Sequence, residues 1–132
     1  MTEGVDMPDL DFDKVRKWIV RVADNYGFSV AKLNYCFCDD DYILETNRKF
    51  LQHDYFTDII TFDYTNHDRI SGDMVISLDT VASNALSVGE SYEHELLRVI
   101  IHGVLHLCGI NDKGPGEREI MEAAENQALT SF

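Results

Sequence analysis

Residues 99–107 constrain the fold of this chain more than any other stretch, because they are apolar on nearly every side. Val99, Ile100, Ile101, Val104, Leu105 and Leu107 surround a single helical segment, interrupted only by His102, Gly103 and His106. A helix that is hydrophobic all round cannot lie on a surface, so other elements must cover it. The two histidines therefore belong to a largely buried element, and buried imidazoles need partners. A step of four residues turns a helix by only about 40° beyond a full turn, which puts both rings on one face.

That spacing suits a divalent cation gripped by two neutral imidazoles. Gly109 can take the left-handed conformation that ends a helix and turns the chain back. Asp112 then follows at a distance where its carboxylate closes a third vertex, leaving the fourth for water. The expectation is a catalytic zinc site of His102, His106 and Asp112, with nickel or another transition ion compatible with the same donors. The competing reading is a pair of core histidines hydrogen-bonded to backbone, with no metal.

Zinc proteases of the His-Glu-x-x-His kind share the spacing but carry a general-base Glu directly after the first His. Gly103 occupies that place here. A minimal zinc protease would need its base from elsewhere. The glycine is expected to leave open space beside the metal, room for a phosphodiester.

Further segments carry a resemblance. His102-Gly103-Val104-Leu105-His106-Leu107-Cys108-Gly109 matches a His-Gly-x-Leu-His-Leu-x-Gly motif; Thr57-Asp58-Ile59-Ile60-Thr61-Phe62 is similar to a Thr-Asp-Val-Leu-Ser-Phe strand. Gly72-Asp73-Met74-Val75-Ile76-Ser77 is similar to a Gly-Asp-Ile-x-Ile-Ser strand, with Asn47 and Met121 at fitting helical positions. Over residues 18–132 the chain thus resembles the YbeY-type endoribonucleases, metal-dependent rRNA maturation factors of bacteria. The resemblance implies a small mixed sheet with the metal helix packed across it, an N-terminal strand, and a single-strand-specific endoribonuclease acting in maturation and quality control of ribosomal RNA. It also implies ribosomal RNA and ribosomal or ribosome-associated proteins as partners. Two departures stand out. The family's usual third ligand is a His where this chain has Asp112, and the family's phosphate-binding Arg aligns with Leu51. Arg48, one helical turn earlier, is the candidate to take over that catalytic role, with a solvated surface charge as its plainer reading.

The charge balance restricts how such an enzyme could work. Twenty-four acidic residues face eleven basic ones, for a formal net charge of -13. A generic high-affinity RNA binder is excluded, since such proteins cluster Lys and Arg. A local site remains open in which the metal supplies positive charge, helped by Arg48, Lys49, Arg98 or Lys113. The three cysteines, Cys36, Cys38 and Cys108, are an odd number in apolar surroundings and read as reduced, buried thiols. Residues 1–6 lack the basic and apolar regions of a secretory signal, and no apolar run reaches the length of a membrane span, so the expected location is cytoplasmic.

The 132 residues read as one domain, 1–132, without repeats or linkers. Asp11 or Asp13 caps a first helix bearing Val15, Trp18, Ile19 and Val22, ending near Gly27. Alternation of Leu33, Tyr35 and Phe37 with Asn34, Cys36 and Cys38 marks a strand with one face in the core. Residues 39–41 cap a second helix to about residue 50, with Ile43, Leu44, Asn47 and Leu51 inward. Strands over 57–64 and 72–78 form an antiparallel hairpin with a long loop. Short, metal-bearing and final helices open at Asp79, Ser91 and Pro115. The sum is an α+β domain, layered α/β/α. Elsewhere, His53, His67 and His94 read as solvated, His53 with a possible RNA contact. Arg98 is placed for phosphate or for Glu93 or Glu95, and Asp58 for the site or for a turn cap. Besides the endoribonuclease and the protease, a non-catalytic ribosome-assembly factor braced by a structural metal fits the same residues.

Overall fold

The computed structural model describes residues 2–51, 57–112 and 114–132, so the expectations on residues 52–56 (His53 among them), Lys113 and the Leu51 side chain fall outside the described residues. Four strands form one sheet: β1 (Thr2–Glu3), β2 (Ser29–Cys38), β3 (Ile59–Asp63) and β4 (Arg69–Ser77), in the order β1-β2-β4-β3. β1 and β4 both run parallel to β2, whereas β3 is antiparallel to β4. Five helices accompany it: α1 (Phe12–Asn25), α2 (Asp40–Thr46), α3 (Leu78–Val88), α4 (Tyr92–Leu107) and α5 (Glu117–Thr130).

Alternation along the strands divides the core in two. Phe37, Ile70, Met74 and Ile76 join the large cluster with Val15, Trp18, Ile19 and Val22 of α1, Val81 of α3, and Leu96, Ile100, Val104 and Leu105 of α4. Their neighbours Cys36, Cys38, Ile60 and Val75 point the other way and pack with Ile43 of α2. The strand expected to bury one face thus buries both near its C-terminal end, which gives the mixed α/β layering. Trp18 in α1 donates its indole N–H to the Ala128 carbonyl of α5 across 2.8 Å, tying the last helix to the first.

Several local signals act as expected. The Asp11 carboxylate accepts from the Lys14 N–H and caps α1; the Ser91 hydroxyl accepts from the His94 N–H and caps α4. Some expectations need correction. The β3–β4 loop is tight rather than long, because Asn66 and Arg69 exchange both backbone hydrogen bonds around His67 and Asp68. His67 makes this turn possible by adopting a φ of 57°, the positive value hairpin turns require. The second helix is not uniform either: α2 ends at Thr46 and gives way to a π-helical turn, Asn47–Leu51. Ser77 rather than Asp79 caps α3.

Candidate active site

The site is built where α4 ends. Cys108 closes the helix, and Gly109 follows with a φ of 93°. The Ile110 N–H bonds the Leu105 carbonyl and the Gly109 N–H bonds the His106 carbonyl, the paired bonds of a Schellman turn. Ile110 packs against the main core, and this turn brings Asp112 back beneath His102. His102 Nε2 then lies 3.3 Å from Asp112 Oδ2.

His102 is anchored at its other nitrogen. Nδ1 stands 2.7 Å from Oε2 of Glu125, a carboxylate of α5 that is only 7% exposed. The second oxygen of Glu125 accepts from Arg98 at 2.9 Å, and Arg98 also donates to Asn126 at 2.8 Å. Arg98 therefore makes its hydrogen bonds across to α5, while its charge also acts on Glu95 of its own helix. Burial alone would lower the His102 pKa, but the bond and charge of Glu125, with Asp112 and Asp58, raise it on balance. Burial raises the pKa of Asp58, partly offset by the charge of His102.

These groups line an open cleft of about 790 Å³ between α4, α5 and β3. Its wall includes His106, one turn beyond His102, together with Asn47, Asp58, Glu95, Arg98, Arg118 and Met121. Asn47, from the π-helical turn, is 1% exposed and lines the cleft; Arg48, next along, is exposed and does not. Gly103 is not open space beside a metal. A Cβ there would stand 2.8 Å from both Ile59 Cδ1 and Met74 Sδ, so the glycine allows α4 to press onto the sheet.

Two of the three expected metal donors meet. Ligand atoms bonded at 2.0–2.1 Å to one tetrahedral ion stand about 3.3 Å apart, the spacing of His102 Nε2 and Asp112 Oδ2. The same separation suits a charged His–Asp pair. Among the described residues, no three His, Cys, Asp or Glu side chains are drawn close enough to enclose an ion. Glu125 was not foreseen from the sequence. The available signal was its place one turn beyond Met121, a carboxylate on the inward stripe Met121, Ala124 and Ala128.

A family model described as Endoribonuclease YbeY matches residues 3–132. This chain belongs to the YbeY family. A Phocaeicola vulgatus protein named Endoribonuclease YbeY is 66% identical over 97% of this chain and 93% of its own length. One of the same name from Bacteroides thetaiotaomicron is 62% identical over 97% and 93%. The solution structure of a Thermotoga maritima protein superposes with a TM-score of 0.70 at 25% identity, covering 98% of this chain and 86% of that one. The YbeY resemblance expected from the motifs and the mixed layered fold are thus both found.

Proposed function

We propose that this chain is an endoribonuclease that uses one divalent cation, zinc by default, to cleave single-stranded RNA during ribosomal RNA maturation. Membership of a family named for endoribonuclease activity supports the reaction class. The observation that carries the metal is the 3.3 Å approach of His102 Nε2 to Asp112 Oδ2, with Nδ1 already held by Glu125. His102, Asp112 and His106 would hold the cation, which would polarise a phosphoryl oxygen and offset charge developing on the phosphate. The half-buried Asp58 is positioned in the cleft to hold or accept a proton from the attacking oxygen. Arg118 lines the cleft and would supply a cation toward the phosphate; Arg48, expected for that role, is exposed beside Asn47 and would have to reach in from the rim. The general-base position of His-Glu-x-x-His proteases is taken by Gly103, whose missing side chain would face Ile59 and Met74 of the sheet and not the cleft.

A structural-metal reading keeps one specific support, since His102, Asp112 and Glu125 join α4, its following turn and α5. Metal content of protein purified without added metal, beside cleavage of single-stranded and duplex RNA, separates the two. We expect bound metal in the native chain, cleavage confined to single strands, and loss of both in Asp112→Ala. Unchanged cleavage with lost metal and lower thermal stability would overturn the catalytic reading. A 2′,3′-cyclic phosphate on the product would identify the ribose 2′-hydroxyl as nucleophile, and a 3′-hydroxyl would exclude it.

A further inference from the structure

We infer that Glu125 is the positioning residue of this site: it holds His102 with the ring proton on Nδ1, so that the Nε2 lone pair faces Asp112. The role toward a cation rests on the metal reading above; the choice of tautomer does not.

Nδ1 and Glu125 Oε2 are 2.7 Å apart, the short distance of a hydrogen bond to an ionised acceptor. Paired with the Arg98 guanidinium, Glu125 is held as a carboxylate that can only accept. Its 2.7 Å contact at Nδ1 outcompetes the 3.3 Å contact of Asp112 at Nε2 for the single proton of the neutral ring. Nor is Glu125 free to turn away. Its other oxygen is held by Arg98 at 2.9 Å, and Arg98 is braced by Asn126 at 2.8 Å. A buried carboxylate without such partners would be costly, and here both oxygens are engaged. His102 also stands on α4 and Glu125 on α5, so the bond fixes the ring plane against a second rigid element. Which ring nitrogen is free to bind a metal is set by the bond the other one makes. Among the described residues Glu125 is the acceptor at Nδ1, and without it the Asp112 carboxylate at Nε2 favours Nε2–H instead.

The test has two readouts. The first is the tautomer of His102, read from long-range ¹H–¹⁵N correlations of the metal-free protein at alkaline pH, where the ring is neutral. We expect Nδ1–H in the native chain and in Glu125→Gln, which keeps an acceptor oxygen, and Nε2–H in Glu125→Ala. The second is zinc affinity, by competition with a chromophoric chelator. Loss of an outer partner of a ligating histidine weakens binding on the order of 10–100-fold, so Glu125→Ala should fall in that range. A merely structural Glu125 would lower the melting temperature and leave the tautomer alone. An unchanged tautomer with zinc affinity within about threefold of the native value overturns the proposal. Should Glu125→Ala not fold, the native chain still decides, because Nε2–H in the metal-free protein refutes the positioning role. A native chain that binds no zinc defeats the metal reading instead, while the tautomer still decides the role of Glu125.

Discussion

Replacing Gly103 by Ala sets two opposing effects against each other, and the structure predicts which wins. In the middle of a helix, Ala is favoured over Gly by about 1 kcal/mol. Here the added methyl would stand 2.8 Å from Ile59 Cδ1, 2.8 Å from Met74 Sδ and 3.2 Å from Thr61 Cγ2. Non-bonded carbons rest comfortably at about 3.5–4.0 Å, so these neighbours must retreat or α4 must lift from the sheet. Met74 is fully buried, so its retreat is into filled space, whereas Ile59 is half-buried on the cleft wall and can yield more easily. Overpacking of this kind costs about 1–3 kcal/mol, leaving a net loss of about 1 kcal/mol after the helix gain. Urea denaturation would read this as a lower midpoint with an unchanged slope. Ile59→Val removes the Cδ1 atom, so Gly103→Ala should cost less in that background, with a coupling of about 0.5–1 kcal/mol. A Gly103→Ala chain stabilised by about 1 kcal/mol, with no coupling to Ile59, would falsify the close-packing account.

Burial pushes the Cys38 thiol up to about 12 and the Cys108 thiol up to about 11, and the Cys36 thiol is raised as well. A thiol-specific disulfide reagent should therefore label the native protein slowly at mildly alkaline pH and all three thiols at once in denaturant; fast native labelling of Cys38 would contradict this. Burial also raises the pKa of Glu95, with Arg98 opposing it, so the native state holds that proton more tightly than the unfolded chain does. Stability is then lost as pH rises from the ordinary Glu range through the raised value, and Glu95→Gln should be stabilising above that window and neutral below about pH 4. A gain that persists unchanged in acid, by urea midpoints across pH, would show that ionisation is not the cause.

What was legible in the sequence was mostly what a few neighbouring residues decide. Asp11 and Ser91 announce their helices because a cap bonds an N–H three residues away. Gly109 announces its turn because few other residues tolerate that φ, and the turn in turn delivers Asp112 to His102. The hidden features depend on packing between distant segments. The His102–Glu125 bond joins residues 23 apart, and nothing in either helix alone predicts their mutual rotation. Gly103 misled for the same reason: a missing side chain can mean an open pocket or a close approach, and only the position of β3 and β4 tells which. The π-helical turn at Asn47–Leu51 likewise follows no local signal in the residue pattern, yet it separates Asn47, buried at the cleft, from exposed Arg48.

The cleft itself is acidic, and this bears on how RNA could use it. Among the described lining residues, Asp58, Glu90, Glu95, Asp112, Glu122 and Glu125 face only Arg98 and Arg118, a formal excess of four negative charges. One divalent cation halves that excess without reversing it. Arg98 is already engaged by Glu125, so few basic groups remain to meet phosphates. Binding of single strands normally weakens with salt at a logarithmic slope of about -0.7 per phosphate contact, so one or two contacts give a slope of about -1. With 24 acidic residues on the chain, added salt also screens repulsion between protein and RNA, flattening the dependence further. If RNA is cleaved here with the proposed cation, recognition would come from shape and metal geometry, with little electrostatic steering. Cleavage of a short single-stranded RNA, followed as kcat/KM between low and physiological salt, should change little. A fall steeper than a slope of about -3 would mean that several Lys or Arg side chains grip the backbone, and that the acidic cleft is not where the RNA lies.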